Sequence, residues 1–146
     1  MDTIRTDTSI ITLQINDGPE VIAFDPSETL FAEKFYRLMR DLTTKEVEFR
    51  ARAEAIDAKT ELEEDGLPAS LPETLAFMRE ACQFFRDEID KLFGEGSSQK
   101  LFGDRYSLPA IGSFFTGITP YIKTARDERI AKYLPPKNSR KRRERA

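Results

Sequence analysis

At 146 residues the chain is sized for one domain around one core. It has no His, which removes the commonest general base and the commonest metal ligand, and its one Cys cannot form an internal disulfide. The net charge of −3 conceals an asymmetry: residues 137–146 hold six Lys or Arg against one Glu, which is +5, and by subtraction residues 1–136 carry −8.

Ser9 to Ile15 is rich in β-branched residues, and Val21 to Phe24 is a second apolar run. Asn16-Asp17-Gly18-Pro19 between them has turn composition, so residues 9–24 are expected to form a β-hairpin. A lone hairpin is marginal in water and must pack on helices or on another chain.

Asp25-Pro26-Ser27-Glu28 reads as a helix start, with Asp25 as the cap and Pro26 at the first helical position. Phe31, Phe35, Leu38 and Leu42 follow at helical spacing. The stripe then thins. Lys45 and Arg52 stand where it wants apolar residues, and Val47, Phe49 and Ile56 continue it unevenly. This first helix is expected to reach about residue 64, before Gly66-Leu67-Pro68 breaks the chain. Its polar second half is expected to project or to be covered by a partner.

Ser70 is the expected cap of the second helix, with Pro72 and Glu73 in the first turn. Leu71, Leu75, Met78, Cys82, Phe85, Ile89 and Leu92 alternate four and three residues apart, which makes a seam against another helix in this chain or in another.

Lys91-Leu92-Phe93-Gly94-Glu95 and Lys100-Leu101-Phe102-Gly103-Asp104 repeat one phrase, Lys-Leu-Phe-Gly-acid. Each copy reads as a helix end stopped by a left-handed glycine, with a short helix between them. Tyr106-Ser107-Leu108-Pro109 opens a third helical region, whose face is Ile111, Phe115, Ile118, Ile122 and Ala125. Pro120 inside it either kinks the helix or begins a fresh one capped by Thr119. Helix is expected to about Tyr133, ended by Pro135-Pro136. The expected fold is therefore α+β and mostly helical. A hairpin at 9–24 packs on a three- to four-helix body at 25–134, residues 1–136 form a single domain, and 137–146 are a disordered basic tail.

No window resembles a secretory signal, and no apolar run approaches the roughly 20 residues of a membrane span, so a cytoplasmic location is expected. Cys82 lies mid-seam and reads as a buried structural thiol. Asp87, Glu88, Asp90, Glu95 and Asp104 lack the spacing of a calcium loop and read as a solvated acidic face. Gly94-Glu95-Gly96-Ser97-Ser98 lacks the spacing of a P-loop and follows no strand. No catalytic residue, metal ligand or cofactor site is nominated, and no enzymatic activity is expected. The tail residues Lys137, Arg140, Lys141, Arg142, Arg143 and Arg145 suit phosphate contacts, docking on an acidic protein surface, or simple solubilisation. They include no aromatic residue on which a base could stack.

Several phrases together resemble the small tail assembly chaperones of siphophages and Gram-positive prophages. They are the hairpin, Phe24-Asp25-Pro26-Ser27-Glu28 leading into Phe31-Ala32-Glu33-Lys34-Phe35-Tyr36, and Ile89-Asp90-Lys91-Leu92-Phe93-Gly94-Glu95-Gly96. Leu101-Phe102-Gly103-Asp104, Phe114-Phe115 and Thr119-Pro120-Tyr121-Ile122 complete the set. The resemblance spans roughly residues 9–133 and implies a non-enzymatic protein that coats the tape-measure protein until major tail protein subunits displace it. Self-association is compatible with such a role. Phe49, Ile56, Phe77, Phe84, Phe93, Phe102 and Phe114 are the candidate partner-binding residues on the helical faces. In many families of this kind a longer product arises by ribosomal frameshifting near the end of the first frame, and Pro136-Lys137-Asn138 can be encoded by a slippery run of codons. Two rival readings are a nucleic-acid-associated phage accessory protein acting through the basic tail, and a structural tail-completion subunit.

Overall fold

Strand alternation decides the N-terminal element. In a computed structural model describing residues 1–6 and 8–133, with side chains through residue 127, β1 (Ile11–Gln14) pairs antiparallel with β2 (Val21–Phe24). Ile11 lies opposite Phe24 and Leu13 opposite Ile22, so one face of the ribbon is apolar. Asn16 (φ 49°) and Asp17 (φ 60°) are the central pair of the turn, which the Gly18 N–H closes onto the Ile15 carbonyl at 2.9 Å. Two successive positive φ values match the right-handed twist of the strands, and Asn and Asp tolerate them better than other side chains do.

Among the described residues four helices follow: α1 (Thr29–Asp57), α2 (Leu71–Phe93), α3 (Ser97–Phe102) and α4 (Leu108–Tyr133). The mostly helical α+β architecture expected from the pattern is the one that forms, with the hairpin on the helical body. Phe24 packs on Phe31 (ring centroids 5.7 Å apart) and edge-on to Phe93 (5.6 Å). Phe35, Ile118 and Ile122 complete this cluster. Cys82, Ile89, Phe102 and Ile111 form a second cluster, and Phe93 and Phe114 pack against both.

Helix boundaries differ from expectation for local reasons. Asp25 does not cap α1. Its carboxylate is engaged by the Ser27 N–H (3.1 Å) and hydroxyl (2.7 Å), and Glu28 is the cap, accepting from Leu30 N–H (2.9 Å) and Phe31 N–H (2.7 Å). α1 stops at Asp57 rather than near residue 64, because the following segment bonds to itself. Glu63 N–H meets Leu67 O at 2.8 Å, and Ala69 N–H meets Glu61 O at 2.9 Å, around a Gly66 at φ 83°. Ser70 precedes α2 in a helical conformation and makes no side-chain cap bond. Its carbonyl instead accepts from the Thr74 N–H and hydroxyl.

The repeated phrase does end two helices, but neither glycine takes the left-handed helical conformation. Gly94 (φ 112°, ψ 148°) and Gly103 (φ 61°, ψ −137°) adopt extended conformations at positive φ, which are essentially confined to glycine. The left-handed residue is Gly96 (φ 90°, ψ −7°), which introduces α3. α4 begins where Ser107 Oγ accepts from Ala110 N–H at 3.2 Å, and it continues as one element through Pro120. Thr119 caps no new helix; its hydroxyl donates back to Phe115 O at 2.6 Å. The expected stop at Pro135-Pro136 and the basic tail lie outside the described residues.

Candidate partner-binding surface

The second half of α1 is not bare. It runs against α2, and the polar residues that interrupt its stripe are what join them. Lys45 Nζ lies 5.2 Å from the Phe84 ring centroid, and the Arg52 guanidinium lies 4.9 Å from that of Phe77. Arg52 also pairs with Glu80 at 2.5 Å, and Lys59 pairs with Glu73 at 2.6 Å. The Arg52–Glu80 hydrogen bond raises the arginine pKa and lowers the carboxylate pKa, although both groups are solvated.

The residues expected to meet a partner sit among these internal contacts. Phe49 faces Phe77, Phe84 and Phe85 at centroid distances of 5.7, 6.0 and 6.1 Å. Ile56 and Phe102 are buried. Phe93 and Phe114 are half-buried and pack on each other at 5.4 Å. The geometry thus joins the candidates into intramolecular ring clusters rather than one outward-facing surface.

What stays open is part of the α2 seam. Cys82 and Ile89 are buried under α3 and α4, and Phe85 meets Phe115. Nearer the start of the helix, Leu75 is 56 % exposed and Met78 40 %. All five residues lie on one stripe. Coverage ends because α4 starts at Leu108 and brings Ile111 and Phe115 to the level of Cys82 and Phe85, then carries Ile118 and Ile122 away to the hairpin. Ahead of α4 the chain contributes Tyr106, whose hydroxyl donates to Gln83 Oε1 at 2.8 Å and whose ring lies under Arg79 at 5.2 Å. Leu71, Leu75 and Met78 therefore continue a packed seam beyond its cover.

Two polar groups have roles that spacing did not indicate. Arg86 is only 7 % exposed; it donates to Arg105 O at 2.9 Å and to Gln99 Oε1 at 3.0 Å, and it lies 5.3 Å from the Tyr106 ring centroid. Asp90 is not part of a solvated acidic face. Its carboxylate accepts from the Ser98 N–H (2.7 Å) and hydroxyl (3.0 Å), tying α2 to the start of α3. Among the described residues, no group of three or more His, Cys, Asp or Glu could hold a metal ion. Burial pushes the Cys82 thiol above its ordinary pKa, opposed by the charge of Arg86. No described helix is long and apolar enough to cross a membrane.

A family model, Family of unknown function (DUF6673), matches residues 18–146. The chain belongs to this family. Neither the curated proteins nor the solved structures include a match. The DUF6673 region begins in the hairpin turn and takes in β2 and all four helices, so the uncovered stripe on α2 lies inside it and β1 lies ahead of it.

Proposed function

We propose that this protein is a non-catalytic tail assembly chaperone. It would hold an amphipathic helical stretch of a tape-measure protein until the major tail protein takes its place. The observation that carries the reading is the uncovered half of the α2 seam. Leu71, Leu75 and Met78 keep the spacing that packs Cys82, Phe85 and Ile89 inside the fold, yet Leu75 and Met78 stay exposed and outside the buried cluster. A helix laid along that stripe would meet the same four-and-three spacing that α4 meets further on. Reversible capture needs an apolar stripe of modest size, and a tape measure needs cover because a long helical chain with bare apolar faces aggregates.

The test is co-purification of the tagged full-length chain from its host, at moderate and at high salt. Under the chaperone reading, a tape-measure-like protein is retained at high salt, finished particles lack this chain, and Leu75→Lys with Met78→Lys abolishes capture. Nucleic acid that is lost as salt rises, with no such protein, would instead favour the basic tail as the working element. Presence in finished particles would favour a structural subunit.

A further inference from the structure

Both strands of a two-stranded sheet are edges, but these two differ. The Ile15 N–H bonds to Glu20 O at 3.0 Å, and with the register this turns the backbone groups of Ile11, Leu13 and Ile15 toward β2. Those of Ile10, Thr12 and Gln14 therefore point outward, and among the described residues no backbone hydrogen bond takes them up. β2 lies against α2 and α3, and its ends are guarded by Pro19, Glu20, Asp25 and Pro26. β1 has no such guard: from Thr8 to Asn16 there is neither a charge nor a proline. Edge strands normally carry one of these devices, because bare N–H and C=O groups template further pairing.

The surroundings of β1 suit an added strand. Its apolar residues Ile11, Leu13 and Ile15 are only half-buried. A cavity of about 550 Å³ lies between the end of β1 and α4, lined in part by Leu13, Ile15, Ser113, Gly117 and Tyr121.

We propose that β1 pairs antiparallel with β1 of a second copy, about a two-fold axis at Thr12, to give one four-stranded sheet. In that register Thr12 meets Thr12, and each Ile10 meets a Gln14 in a hydrogen-bonded pair. Ile11 of one copy lies beside Leu13 of the other, so the two apolar faces become one. The occupant is a second copy because the strand is its own complement. It is uncharged throughout, it brings Ile11 beside Leu13 on the apolar face and Thr12 against Thr12 on the other, and it opposes no like charges across the axis. This pairing is independent of the helix-binding role of α2.

The experiment is sedimentation velocity of the full-length chain over a wide concentration range, with two variants that leave the hairpin ladder intact. Thr12→Lys sets like charges directly opposite each other across the axis, and Thr12→Pro removes an outward N–H from each copy. Each should weaken the dimer by roughly tenfold or more. Circular dichroism should show both still folded, since Thr12 is exposed and its N–H points away from β2. Thr12→Cys should cross-link the dimer under mild oxidant, because facing Cα atoms in a hydrogen-bonded pair lie about 5.5 Å apart. A chain that is monomeric at every concentration would overturn the proposal. So would a dimer that survives both substitutions, or one that is lost only on Leu75→Lys.

Discussion

Replacing Arg86 with Met sets two opposing effects against each other. The guanidinium is nearly buried and pairs with no carboxylate among the described residues; its partners there are the Arg105 carbonyl, the Gln99 side-chain oxygen and the Tyr106 and Phe102 rings. Burying an unpaired cation is costly, and an apolar replacement of similar length removes that cost. Against this, Met leaves the Arg105 carbonyl without its donor and loses two charge-assisted bonds, each worth about 1.5–3 kcal/mol, as well as a cation–π contact of about 1 kcal/mol. Arg86 joins α2 to the segment between α3 and α4, so its bonds also fix where α4 begins. The expected result is a net loss of about 2–3 kcal/mol, or a fall in Tm of roughly 5–10 °C for a chain of this size. Thermal and urea melts followed by circular dichroism would measure it. Arg86→Lys keeps the charge but has no planar fork to reach both acceptors, so it should fall between Met and wild type. If Arg86→Met were as stable as wild type or more so, desolvation would outweigh the bonds and the reasoning would be refuted.

Pro120→Ala should stabilise the protein by about 1–3 kcal/mol in the same melts, because Pro120 is exposed inside a continuous helix and withholds a backbone donor; a lower Tm would mean that the ring makes a contact α4 depends on. Asp90→Ala should cost about 1–2 kcal/mol, since both Ser98 donors lose their acceptor, and unchanged stability would show that water replaces it. Cys82 should resist a soluble thiol reagent in the native state and react at the rate of unfolding; fast native labelling would contradict its burial. Its raised pKa favours the neutral thiol in the fold. That contribution is fully present below the ordinary value of 9.0 and is lost as pH rises through the folded value, so Cys82→Ala should lose less stability than wild type in alkali.

The hairpin and the number of long helices were legible because each rests on a local period. Ile11, Leu13 and Ile15 alternate with Thr12 and Gln14, and Phe31, Phe35 and Leu38 recur every turn, whatever surrounds them. The caps were less legible, because several residues compete for one task. Asp25 and Glu28 both precede α1, and only the Ser27 hydroxyl, by engaging Asp25, leaves the cap to Glu28. Arg52 and Lys45 looked like faults in an apolar stripe. Their stems and charges are what that stripe uses to meet Phe77, Phe84 and Glu80 across the α1–α2 contact.

The candidate surface shows where periodicity runs out. Leu75 and Met78 sit on the same stripe as Cys82 and Ile89, at the same spacing, yet Ile89 is fully buried and Leu75 is more than half exposed. A period reports which side of a helix is apolar; it carries no information about how far a neighbouring helix extends along it. That extent is set elsewhere. Gly103 ends α3, Arg86 and Tyr106 fix the path out of it, and α4 cannot begin before Ser107 supplies its cap. The half of the seam that α4 reaches becomes core. The half it does not reach keeps the same recognition pattern facing solvent, so on this chain a candidate binding face arises as the unfilled remainder of an interior one.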